Sequence, residues 1–417
     1  MAGFVELLRT NRNYRNLWTG QVVSEVGDHF NNIAVFSLVL ETTGSGLIVS
    51  GVLLARGVAM MIAGPLAGVA LDRADRRQLM IWSDAIRAVV AVCFGLCLIY
   101  PATWLLYLLS AMLMFCSPFF TSGRAAILPR IATREQLHTA NTLTQTTQWT
   151  NLAIGMFLGG TSVHSLGYEA AFALNAMSFV VSAFSVSRLS LPEGFRPAGL
   201  PRERMVARPL HEYREGLRYM RSVPLVFGLA LLGVGWATGG GAAQVLFSLF
   251  GEKVFNKGAA GIGIIWGFAA IGLIAGGATA HRLMPRLSFR AYLWLVALCY
   301  LVHGVAYAAF SQMQSFAWAL FFIALSRAAV GMTSTMNMTQ LLRTVDDAYR
   351  GRVFSTFESM NWGMMMISMT AAGFASDYYD TRTIGLWSGL ASGSVSIFWI
   401  WAVLAGKLPE PRLEDRQ

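Results

Sequence analysis

Four polar residues in one apolar stretch raise the chemical question: Gln21, Glu25, Asp28 and Asn32. Their spacings of four, three and four put all of them on one face of a helix. A carboxylate in such a place can bind and release a proton, with an affinity that changes as cations approach or withdraw. Arg56 interrupts the next apolar stretch at a depth similar to that of Asp28, which predicts an Asp28–Arg56 pair, with Glu25 one helical turn away. Two chemistries fit that pair. It is either an ion pair that fixes helix packing, or a latch whose opening changes the proton affinity of the carboxylates. Arg327 and Glu358 form a second predicted pair, and Phe354, Glu358, Asn361 and Met365 share one helical face. Gln148, on a face with Asn141 and Gln145, and the adjacent Trp149 are further candidates for contact with a bound molecule. Asp84 and Arg87, three apart, are expected to brace a nearby loop. His29 and His303 read as packed side chains.

The elements that must hold these groups follow from composition. The chain has 417 residues, of which 55% are hydrophobic and only 13% charged. About a quarter of the residues in a soluble domain are charged, so this is a membrane protein. The net charge of +10 sits in short gaps between apolar runs, which argues against a nucleic-acid partner. Twelve runs are long enough to span a bilayer: 14–40, 46–71, 79–99, 103–127, 138–163, 167–189, 222–250, 258–284, 289–311, 315–341, 349–375 and 383–406. All are read as helices, because an open sheet edge does not survive in lipid. The expected fold is therefore an all-α integral membrane protein with twelve transmembrane helices.

Charge then sets the orientation. Of the 32 basic residues, 26 fall in alternate gaps and both ends, three in the opposite gaps, and three (Arg56, Arg87 and Arg327) inside runs. This asymmetry predicts that both termini are cytoplasmic. An offset of 212 residues maps Gly64 on Gly276 and Thr121-Ser122 on Thr333-Ser334. It predicts two six-helix bundles related by a pseudo-two-fold axis: residues 1–189, a cytoplasmic linker at 190–221, and residues 222–417. The linker opens on Pro192, Pro197 and Pro201 and continues from Leu210 to Arg221 as a basic amphipathic helix, expected to lie on the cytoplasmic leaflet.

The turn between the second and third runs has its own signature. Gly64 and Gly68 are spaced for close helix approach, and Asp72, Arg73, Asp75, Arg76 and Arg77 follow. This stretch resembles the loop Gly-x-x-x-Asp-Arg-x-Gly-Arg-Arg of the major facilitator superfamily, with Asp75 in place of the usual glycine. Asn13-Tyr-Arg-Asn-Leu-Trp18, Gly27-Asp28, Ala55-Arg56, Gly216-Leu-Arg-Tyr219 and Arg350-Gly-Arg-Val353 resemble its drug-efflux branch, which includes macrolide and enterobactin exporters. Gly155-x-x-x-Gly159-Gly160 is similar to an antiporter motif of the superfamily but lacks its proline. Close packing accounts for these glycines equally well.

The resemblance implies a proton-driven exporter of small amphipathic compounds, working by alternating access in a bacterial inner membrane. It needs no cofactor and is expected to act as a monomer. Glu25, Asp28 and Arg56 would couple protons, and Asn32, Gln148, Trp149, Arg327, Glu358, Asn361 and Met365 would face the substrate. Gly68, Asp72, Arg73, Arg76 and Arg77 would gate the cytoplasmic side, with Asp72 meeting the amino end of the eleventh run. A lysophospholipid flippase or a siderophore exporter of the same fold fits these residues as well. No nucleophile–base set or phosphate loop points to an enzyme.

Overall fold

Polar caps and single glycines cut the apolar sequence into helices. A computed structural model describes residues 3–190 and 209–410. In chain order the helices are α1 Phe4–Thr10, α2 Arg12–Thr43, α3 Gly46–Arg73, α4 Arg76–Cys93, α5 Leu96–Ile99, α6 Thr103–Ile131, α7 Arg134–Ser187 and α8 Pro209–Ser222. They continue as α9 Pro224–Leu249, α10 Gly258–Leu283, α11 Phe289–Gln312, α12 Phe316–Thr344, α13 Asp347–Ala375, α14 Thr381–Gly393 and α15 Val395–Leu404. Among the described residues nine helical segments are long and apolar enough to cross a membrane. One of these is α7, whose 54 residues bend at Gly167, where φ is 83° and ψ is 175°. Only glycine adopts that backbone readily, so one residue replaces the loop expected between the fifth and sixth runs.

The side chains of Asn11, Ser45, Thr133, Ser288 and Asp380 each accept a backbone N–H at the start of a helix. These bonds satisfy donors that a helix start leaves open. Asp75 does the same for α4, accepting from the backbone nitrogens of Arg77 at 2.8 Å and Gln78 at 3.2 Å. The departure from the loop signature is thus a helix cap. Asp75→Ala is expected to lower stability by about 1 kcal/mol and Asp75→Asn by much less, read as thermal midpoints of the purified protein. Equal midpoints for the two variants would remove the capping account.

The chain folds as two compact units, Met1–Val206 with Ser248–Gly267, and Ala207–Phe247 with Phe268–Gln417. In the first unit α2 lies along α7, α3 along α6, and α4 against both α6 and α7. Glycines make the closest of these contacts. A Cβ at Gly155 would lie 2.7 Å from the ring of His29, and one at Gly160 would lie 2.7 Å from the carbonyl of Ala259. The Gly155–Gly160 stretch is therefore a packing stripe, as its missing proline allowed. Gly64 and Gly68 differ from expectation, since an added Cβ at either would meet no atom within 4 Å.

In the second unit α11 packs on α12, α14 and α15. Its core is built around buried Trp399, whose Nε1 donates to the Leu293 carbonyl at 2.9 Å. The glycines of α9 are contact points rather than hinges: Gly233 meets Asn361, Gly235 meets Val395, and Gly241 meets the backbone of Met365. The predicted amphipathic helix exists as α8, and one side of it docks on α13. Gly216 fits against Thr356 and the Arg352 carbonyl, Glu215 pairs with Arg352 at 3.2 Å, and Tyr219 stacks on Tyr349. The linker prolines Pro192, Pro197 and Pro201 lie outside the described residues.

Candidate functional site

The polar face of α2 is real, and it meets α4, α6 and α7. Glu25 is the most fully bonded member. Its Oε1 accepts from Gln21 Nε2 at 2.9 Å and from Arg124 Nη1 at 3.3 Å, and its Oε2 accepts from Asn151 Nδ2 at 2.8 Å. Three donors, one of them a guanidinium, thus converge on this one carboxylate. Glu25 therefore cross-links α2, α6 and α7.

Asp28 is served very differently. Its nearest cation is Arg87 at 3.8 Å, and its Oδ1 is buried without a hydrogen-bond partner. Arg87 is committed elsewhere, in a short contact with Asp84, and its guanidinium lies over the Phe179 and Phe120 rings at 4.4 and 5.2 Å. Asp84 is 0% exposed and Arg87 3%. Two carboxyl groups thus share one guanidinium.

The expected Asp28–Arg56 pair is not formed. Arg56 Nη1 donates to Asn32 Oδ1 at 2.6 Å, and its guanidinium lies 5.3 Å from the centre of the Phe36 ring. Its Nε and Nη2 are buried without partners. Asn32, one turn beyond Asp28, intercepts Arg56, while Arg87 approaches Asp28 from α4. The role assigned to Asp84 and Arg87, bracing the nearby loop, is corrected by the same geometry: they belong to the buried network.

On α7 the residues facing α2 are one register away from those expected. Trp18 Nε1 donates to Thr147 Oγ1 at 2.8 Å, Tyr14 Oη bonds the Ala140 carbonyl at 2.9 Å, and Asn151 reaches Glu25. Gln148 is half-buried and Trp149 exposed, and neither bonds Glu25 or Asp28. The sequence did contain a signal. Counting back from Gly159 and Gly155 in helical steps gives Asn151, Thr147 and Thr144, so the packing glycines mark the inward face. His29 packs against that glycine stripe, as its reading required.

The arginine loop is fastened within its own unit. Arg76 donates to the carbonyls of Leu71 and Ala126, both at 3.2 Å, and Arg77 to the carbonyl of Ser187. Asp72 and Arg73 are exposed.

In the second unit Arg327 does not pair with Glu358. Arg327 projects from α12 toward α9 and α11, with Cζ 5.0 Å from the centre of the Phe247 ring and 6.0 Å from that of Tyr307. Glu358 is exposed on α13. Asn361 faces Gly233 of α9, and Met365 is buried against it. His303 is more than filler: its ring nitrogens bond Ser326 Oγ at 2.7 Å and Ser392 Oγ at 3.1 Å, joining α11, α12 and α14.

Long apolar helices around a buried acid–base network define a polytopic membrane protein. Residues 17–369 match the family model described as Major Facilitator Superfamily, and the chain belongs to that superfamily. The enterobactin exporter EntS of Shigella boydii is 26% identical over 363 residues, 86% of this chain and 83% of that one. An uncharacterised MFS-type transporter, YfiS of Bacillus subtilis, is 25% identical over 221 residues, 53% of this chain and 52% of that relative. In structure the chain is similar to a bacterial homologue of the iron transporter ferroportin in its inward-facing state. The TM-score is 0.70 at 18% identity, over 93% of this chain and 98% of the other. These relatives are transporters, and so is this chain.

Proposed function

We propose that the protein is a proton-coupled exporter of small amphipathic compounds. In this reading twelve spans form two six-helix bundles in a bacterial inner membrane, with both termini cytoplasmic, and export proceeds by alternating access. The observation that carries it is the contrast between the two carboxylates of α2. Glu25 is saturated by three donors, whereas Asp28 has one distant cation and an unbonded oxygen. A carboxylate so poorly compensated in an apolar setting gains most from binding a proton. Asp28 is therefore the proton carrier, Glu25 is a structural cross-link, and Arg87 and Arg56 are the cations whose approach or retreat tunes Asp28.

Arg76 and Arg77 anchor the cytoplasmic gate, while Gly68, Asp72 and Arg73 are its moving contacts. Asn32, Gln148, Trp149, Arg327, Glu358, Asn361 and Met365 contribute to substrate contact. A siderophore exporter is the second reading, favoured by the likeness to EntS over most of both chains.

The test is a thermal-shift screen for stabilising amphipathic compounds, followed by transport of the hits in proteoliposomes. Transport should stop when nigericin collapses the pH gradient. Equal rates with and without the gradient would argue for a facilitator instead.

A further inference from the structure

Arg327 is 7% exposed and carries a charge that guanidinium does not lose at any physiological pH. Among the described residues no carboxylate pairs with it. Its surroundings are aromatic: the Phe247 ring at 5.0 Å and the Tyr307 ring at 6.0 Å. Tyr307 Oη is itself buried without a hydrogen-bond partner. His303, stacked on Tyr307, supplies no negative charge, because its two ring nitrogens bond serines. Here, then, are a buried cation with no carboxylate beside it and a buried hydroxyl donor without an acceptor. Leaving such a cation without an anion is costly, so packing alone gives no reason to keep it.

We propose that Arg327 anchors an acidic group of the transported molecule, a carboxylate or phosphate carried on an apolar body. The guanidinium fork matches two oxygens of either group. Tyr307 Oη is the second donor of the site. The proposal rests on the exporter reading and narrows its substrate class to amphipathic anions.

The probes are 1-naphthoate, 1-naphthyl phosphate and the uncharged 1-naphthamide, which share one apolar body. Binding is read by thermal shift on purified protein without any gradient, so a failure of proton coupling leaves this readout intact. The wild type should bind at least one of the two anions about tenfold or more tightly than the amide. The stronger of the two anions identifies the head group. Arg327→Met should abolish the preference, and Arg327→Lys should retain part of it. Arg327→Met should also be at least as stable as wild type without ligand, because it removes an uncompensated charge. The proposal falls if wild type binds all three probes alike or none of them. It falls equally if Arg327→Met keeps the anion preference. An Arg327→Met protein that is markedly less stable without ligand would make Arg327 a packing residue and also overturn it.

Discussion

Arg87→Met should be the most destabilising single substitution in the first unit, costing about 3–5 kcal/mol. The guanidinium is 3% exposed, it is the partner of the fully buried Asp84, and it is the nearest cation to Asp28. Methionine fills much of the same volume between Phe120 and Phe179 but leaves two carboxylates facing each other in an apolar interior. Breaking a buried pair from one side is far worse than removing both charges. The double variant Asp84→Asn with Arg87→Met should therefore recover most of the lost stability, and the shortfall from additivity measures the coupling. Thermal unfolding of the three proteins in detergent decides it. A single variant as stable as wild type would mean that water, not Arg87, compensates Asp84.

Asp28→Asn should have the opposite profile, an intact fold with coupling reduced to the level of empty liposomes. Asparagine is nearly the same shape, and the position has little bonding to lose: one oxygen is unpartnered and the cation stands 3.8 Å away. What disappears is the ability to carry a proton. A tenfold proton gradient is worth about 1.4 kcal/mol per proton, and without a titratable carrier none of it reaches the substrate. Substrate counterflow, which needs no net proton movement, should survive. Glu25→Gln should behave conversely, since it weakens three hydrogen bonds, two of them to other helices, and its chief defect is stability. Gradient-driven uptake by Asp28→Asn at the wild-type rate would move the proton to another residue, with Asp84 the next to examine.

Much of this organisation could be read before any coordinates. The four-residue polar face of α2 was legible because helical periodicity is a property of the chain alone, and it emerged with Glu25, Asp28 and Asn32 all in use. The α8 helix was legible from its basic amphipathic pattern, but its partner was not. Two aromatic rings and a glycine, distant in sequence, bring it onto α13. The α7 register was missed by one step because three polar residues, Asn141, Gln145 and Gln148, line up as convincingly as Thr144, Thr147 and Asn151. Only the glycines at 155 and 159 break the tie.

Spacing along the chain determined the class of protein and the face of its own helix that each buried charge occupies. Apolar run length and charge placement are one-dimensional quantities, fixed before packing. Tertiary structure alone decided which charge meets which. Arg56 and Arg87 both come near the polar face of α2, and the rotation of α3 and α4 about their axes gives one to Asn32 and the other to Asp28 and Asp84. That rotation is set by side chains packing across several helices at once. For the same reason Arg327 turns to Phe247 and Tyr307 rather than to Glu358 and keeps its charge without a carboxylate partner.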